Sequence, residues 1–231
     1  MGKVKIKKKD TRIDMTAMSD VTVLLLTFFM LTSSFLSKEP VQVITPPAVS
    51  EEKVPDEKAV SVLVSPEGRV YLSLIGTKDS TMVTEQFRKE VLSNAVAIWN
   101  DKHPSQKVQL NQKEVETFTK LGSFGVPFSR LKEWLDMDME KRDKALEVAG
   151  IPINLNKDVN GSPNEFQIWM VAARNASNDA GFGVELRQGK GVAIKADQTT
   201  KYEIISVVMQ NLQTVNLNKF SLMTALKSVE D

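Results

Sequence analysis

The sequence predicts a single membrane-spanning α-helix followed by a two-layer α+β domain of element order ββαβαβ. Three observations predict it. A basic head precedes a 17-residue run without formal charge, Val21 to Ser37. A proline-bearing stretch follows. Beyond it, strand-like alternation gives way to helical spacing. The 231 residues, 42% hydrophobic and without cysteine, suit one ordinary domain plus attachments.

Charge is unevenly spread along the chain. Residues 1 to 12 hold Lys3, Lys5, Lys7, Lys8, Lys9 and Arg12 against Asp10, a local net of +5, leaving 24 positive and 28 negative charges elsewhere. A slightly acidic, aromatic-poor body argues against nucleic acid as a partner, because phosphate neutralisation needs excess Lys and Arg on the folded part. Absence of Cys excludes a disulfide framework, a zinc ribbon and a thiol nucleophile. One histidine excludes a multi-histidine metal centre.

Ala17 to Leu36 at ~1.5 Å per residue spans ~30 Å, the thickness of a bilayer's hydrocarbon core. A cleaved signal peptide is the competing reading, but the apolar run exceeds a usual h-region. Phe35, Leu36, Lys38 and Glu39 also offer no small-x-small cleavage site. The expectation is therefore an uncleaved helix over 16–37, with the basic tail, 1–15, in the cytoplasm and everything after Lys38 on the far side. In a Gram-negative cell that far side is the periplasm.

Asp20 is the informative residue of this segment. A carboxylate one turn inside an apolar helix costs several kcal/mol if it stays charged against lipid, so it should face protein or water. Thr16, Asp20, Thr27 and Ser34 are spaced 4, 7 and 7 and share one helical face. Such a stripe suits packing against a partner's helices, in a cavity where a carboxyl can bind and release protons. The alternative is a plain cap at the cytoplasmic interface, with the hydroxyls bonding back to their own helix. Spacing alone leaves both open.

Residues 38–58 contain Pro40, Pro46, Pro47 and Pro55 and read as an extended or disordered tether. Ala59 to Val64 alternates, Ser65-Pro-Glu-Gly-Arg69 supplies turn chemistry, and Val70 to Leu74 resumes a strand, which together predict a hairpin. Thr84 to Asn100 places Phe87, Val91, Leu92, Ala95, Ile98 and Trp99 at helical spacing. Gly191 to Lys195 reads as a strand, Thr200 to Leu212 as an amphipathic helix and Phe220 to Thr224 as a last strand.

Three segments resemble one known family. Ile13-Asp-Met-Thr-Ala-Met-Ser-Asp20-Val-Thr-Val-Leu-Leu-Leu resembles the start of the ExbD/TolR biopolymer-transport proteins. Val41-Gln-Val-Ile-Thr-Pro46 is similar to their short strand-forming linker. Val192-Ala-Ile-Lys-Ala-Asp197 with Tyr202 resembles their Val-x-Ile-x-Ala-Asp and Tyr signature. The family's Pro after the helix-start Thr is Ala17 here. The resemblance implies a non-enzymatic subunit of a proton-driven motor in the bacterial inner membrane. Two copies would insert their helices into an ExbB/TolQ/MotA-like pentamer, with Asp20 as proton carrier, protons as coupling ion and no cofactor. The folded part would pair with its copy and act on a TonB-like energy transducer to energise TonB-dependent outer-membrane transport. A Tol-type or gliding motor is the alternative within that class, and a passive single-span scaffold binding peptidoglycan is the alternative outside it.

The resemblance also implies an insertion. In the family the first periplasmic helix leads almost directly to the third strand, so the family-like domain here comprises 59–101 and 189–231, with 102–188 as an inserted subdomain. Within it Lys113 to Leu121 and Ser129 to Val148 read as helices, the second capped by Ser129, and Phe166 to Ala173 as a buried strand or helix. Asn156-x-Asp158-x-Asn160-Gly161 loosely resembles a calcium loop, but Gln167 replaces the closing Glu and an ordinary Asn-Gly turn is the better reading. No metal site or enzyme active site emerges.

Overall fold

The computed structural model describes residues 15–32, 39–41, 43–48, 57–77, 80–154, 163–181, 183–188, 191–223 and 225–226. The chain divides into two compact units, 1–36 and 37–231. In the first, α1 is Met15–Thr32. Leu, Met and Ala favour helix there, and no Gly or Pro interrupts it. Among the described residues no helix is long and apolar enough to cross a membrane. The described helix has 18 residues, about 27 Å long, and residues 33–37 of the expected span of 16–37 lie outside the described residues. The apolar sequence that would complete a bilayer crossing, up to Ser37, lies outside the described residues, as do the basic head and Ser34.

The second unit is a mixed α+β fold on a four-stranded mixed sheet of order β3-β2-β4-β5. β2 (Ala59–Val64) pairs antiparallel with β3 (Val70–Ile75) and parallel with β4 (Val192–Ala196), which pairs parallel with β5 (Ser221–Met223). The hairpin register is fixed by its turn. Gly68 N–H donates to Ser65 O at 2.9 Å and Ser65 N–H to Arg69 O at 2.9 Å. Gly68 sits at φ +82°, a conformation that suits a residue without Cβ.

α2 (Thr81–Lys102) begins at Ser80, whose side chain accepts from the Val83 amide, and buries Phe87, Val91, Leu92, Ala95 and Trp99. α8 (Tyr202–Thr214) connects β4 to β5. It ends in a Schellman motif: Leu217 N–H reaches Leu212 O at 2.9 Å, Asn216 N–H reaches Gln213 O at 2.9 Å, and Asn216 takes φ +61°. Each of these strands and helices lies within a few residues of its sequence expectation.

Residues 102–188 supply α3 (Gln112–Thr119), α4 (Phe128–Asp136), α5 (Met139–Val148), α6 (Glu165–Asp179) and α7 (Gly183–Gln188). The single helix expected over Ser129–Val148 is two. Met137 and Asp138 are extended, at ψ 151° and 153°, and Asp138 is the N-cap of α5. The corner is held by Trp134 Nε1, which donates to Arg142 O at 3.0 Å. Ser129 is not the cap of α4 either. The N-cap is Pro127, and the Glu165 carboxylate accepts from the Phe128 amide at 2.8 Å. α6 settles the strand-or-helix alternative as helix, opened by a capping box between Asn164 and Gln167.

These helices share one hydrophobic core with the sheet and α2. Its centre is a column of near-parallel rings. His103 stacks on Trp99 at 3.8 Å, Trp99 on Phe128 at 4.7 Å, Phe128 on Trp169 at 4.9 Å and Trp169 on Phe118 at 5.8 Å. Phe124 leans on Trp169 from the side at 4.6 Å. Outer-edge groups of β3 are engaged as well. Leu72 and Phe124 exchange backbone hydrogen bonds of 2.8 Å, Ile151 N–H donates to Val70 O, and the Tyr71 hydroxyl donates to Ala149 O at 3.0 Å. Burial pushes the Tyr71 phenol above its ordinary range. Arg88 ties the same region from α2, its Nε donating to Leu74 O at 3.0 Å and its Nη1 to Thr119 O at 2.9 Å. Burial lowers the pKa of that guanidinium.

A buried amide network joins α6 to α8. Asn164 Nδ2 and Gln167 Nε2 both donate to Asn211 Oδ1, at 2.7 and 2.8 Å. Asn211 Nδ2 in turn donates to Asn154 O at 2.8 Å and Val207 O at 2.8 Å. Each buried amide thus finds partners, which is what makes such a network tolerable in a core.

Candidate functional site

Asp20 is the sole ionisable side chain of α1. It lies in the second turn, exposed, as is the rest of the helix through Leu31. Every large apolar residue from Met15 to Leu31 is more than half exposed, from 55% at Leu25 to 87% at Leu31. A helix apolar on nearly all sides is unstable in water and requires lipid or protein around it.

Thr16 and Thr27 fall on the Asp20 face as expected, but the three are not gathered into one cluster. At 1.5 Å per residue Asp20 lies ~6 Å along the axis from Thr16 and ~10 Å from Thr27. The Thr27 hydroxyl donates to Leu24 O at 3.0 Å, and those of Ser19 and Thr22 donate to Met15 O and Met18 O at 2.8 Å each. These are back-bonds to their own helix, which satisfy a hydroxyl in an apolar medium without a partner.

A second constellation lies in the folded unit, around the end of β4. Asp197 accepts from the Ile44 amide at 2.8 Å, the Thr199 amide at 2.8 Å and the Thr199 hydroxyl at 2.6 Å. The Thr199 hydroxyl, then the Thr199 amide, then the Ile44 amide hold its carboxyl below the usual carboxylate range. Gln198 N–H returns a bond to Ile44 O at 2.8 Å. Lys195 Nζ lies 2.7 Å from both oxygens of Glu39. Beyond, β1 (Pro47–Ala48) pairs parallel with β6 (Ala225–Leu226). Where β4 turns away at Asp197, residues 44–48 meet the loop after it and β6.

Sequence reasoning read 38–58 as a tether and missed that its described part is docked. The contact joins Ile44 to Asp197 across 153 residues, and no local pattern announces it. Strand pairing falls on Pro47–Ala48, just after the expected Val41 to Pro46. The Asn156 to Gly161 motif lies outside the described residues, and Gln167 serves in the α6 cap and the amide network. Among the described residues no group of His, Asp or Glu could hold a metal ion.

No curated protein and no solved structure gives a significant match to the chain. The family model for the biopolymer transport protein ExbD/TolR matches residues 7–122, half of the chain, covering α1, the linker, the hairpin, α2 and α3. The Val192 to Asp197 segment and Tyr202 lie beyond that match. By this match over half of its length the chain belongs to the ExbD/TolR family of non-enzymatic biopolymer transport components.

Proposed function

We propose that this chain is the proton-carrying subunit of an inner-membrane motor driven by the proton motive force, of the ExbB–ExbD type, which energises TonB-dependent outer-membrane transport. The observation that carries this reading is Asp20, the one ionisable group in an otherwise apolar helix whose whole surface calls for lipid or protein. Family membership supports a partner of the ExbB/TolQ kind. α1, continued to Ser37, is the membrane span, with the basic head in the cytoplasm and residues 38–231 in the periplasm. Two copies place their helices in the pore of the partner pentamer. There Asp20 takes up a proton from one side and releases it to the other. Each crossing is worth ~2.3 kcal/mol per 100 mV. Thr16, Thr27 and Ser34 line the same helix face, and the folded unit passes the resulting motion to the energy transducer.

The test is Asp20→Asn in cells. The variant should insert and assemble normally while losing energised uptake. Wild-type uptake would overturn the reading. One observation favours a second reading, in which the chain is a passive anchored scaffold: the hydroxyls of Ser19, Thr22 and Thr27 already bond to their own helix. On that reading Asp20→Asn is mild, whereas deletion of residues 59–231 abolishes function.

A further inference from the structure

The four-stranded sheet has two outer edges, β3 and β5, and the chain treats them differently. Residues 102–188 close the β3 edge. Phe124 exchanges backbone bonds of 2.8 Å with Leu72, Ile151 N–H donates to Val70 O at 2.9 Å, and the Ser73 hydroxyl donates to Gly122 O at 2.7 Å. On one face of that edge Val70, Leu72 and Leu74 are all buried.

β5 is the opposite case. Among the described residues no strand lies on its outer side. Leu222 pairs in register with Ile194, so the two side chains share one face of the sheet. Ile194 is fully buried there, whereas Leu222 is 52% exposed. Phe220 to Leu226 also contain no charge and no proline, the usual guards of a free edge. An edge of this kind is a template for strand addition, which would cover the open side of Leu222 as well.

We propose that β5 is where the folded unit pairs with a second copy of the chain, the two β5 strands running antiparallel about a two-fold axis. With β3 closed by residues 102–188, each four-stranded sheet keeps one open edge, so strand addition between copies stops at two. Antiparallel pairing centred on Leu222 sets that residue beside its counterpart on the same face, and each apolar side chain covers the other. β5 is only three residues long, too short to hold a pair by itself. The inference therefore rests on the reading that two copies share one partner pentamer, because such tethering raises their mutual concentration to about the millimolar range.

Crosslinking in membranes of cells that also carry the partner pentamer tests this, with two differently tagged copies of the full chain. The chain has no cysteine of its own, so Leu222→Cys introduces a unique reactive site. With a short bis-maleimide that variant should give an adduct carrying both tags, several-fold more abundant than the one from Met82→Cys, an exposed position at the start of α2. Adding Asp20→Asn should leave the Leu222→Cys adduct unchanged, since pairing needs no proton transfer. Co-purification of the two tags with the pentamer reports shared occupancy independently of any crosslink. Both tags on one pentamer without the Leu222→Cys adduct overturns the pairing alone, and a single tag per pentamer overturns the two-copy reading and the pairing with it. Equal adducts from the two positions, or an adduct joining Leu222→Cys to a different protein, also overturn the proposal.

Discussion

Trp169→Ala tests whether residues 102–188 and the sheet form one cooperative structure. The indole is fully buried on α6 and contacts Phe118, Phe124 and Phe128 at 5.8, 4.6 and 4.9 Å. Truncating a buried Trp to Ala costs about 3–5 kcal/mol. In a unit of this size each kcal/mol lowers Tm by about 2–4 °C, so the expected fall is about 6–20 °C. Trp169→Phe is the control. It keeps a ring in the column and removes an Nε1 donor that has no hydrogen-bond partner among the described residues, so the lost volume is offset by a relieved desolvation penalty. Its net change should stay within about 1 kcal/mol. Thermal unfolding would be followed by far-UV circular dichroism together with hydrogen exchange at the β2 amides. If the core is shared, helix signal and β2 protection fall together in the alanine variant. β2 protection that stays at the wild-type level while the helices of 112–179 open would refute the single-core description.

Asp197→Ala should free the linker. Exchange at the Ile44 and Gln198 amides would rise about tenfold or more as their reciprocal bonds open. Because the native carboxyl sits below its unfolded value, its contribution to docking is complete above about pH 4 and is lost as pH falls through the depressed native value. The same amides in the wild type should therefore lose protection in acid, and a pH-independent exchange ratio between the two proteins would contradict this. A Cβ at Gly125 would run into the Tyr71 ring and press on Val70 O, so Gly125→Ala should destabilise by about 1–3 kcal/mol in a denaturant titration. A neutral result would mean that β3 and the loop carrying Phe124 are not in close contact.

Elements set by local pattern were legible before any coordinates. The β2–β3 hairpin, the apolar face of α2, β4 and α8 each carry their own periodicity or turn residues. What escaped was set by contacts between distant segments. The α4–α5 break falls in Asp136-Met-Asp138, residues compatible with continuous helix, and is stabilised by the Trp134 indole reaching Arg142 O. β1 is two residues long and gains its partner 178 positions later, at Ala225, a pairing with no local signature. The Glu165 carboxylate displaces Ser129 from its expected capping role in the same way, from 37 residues on. Asp20 stands out in the sequence as a single charge interrupting an apolar run, and its proton-carrying role is the proposal made above. The docking role of Asp197 was not legible, because the segment looks like any strand end until Ile44 is placed beside it.

Proton flux offers the most direct test of the role assigned to Asp20. The chain would be reconstituted with its partner pentamer in proteoliposomes under a valinomycin-set potential, and acidification reported by an internal dye. The account predicts flux with the wild-type helix and none above background with Asp20→Asn, at equal incorporation of both subunits. Equal flux from the two proteins would contradict it.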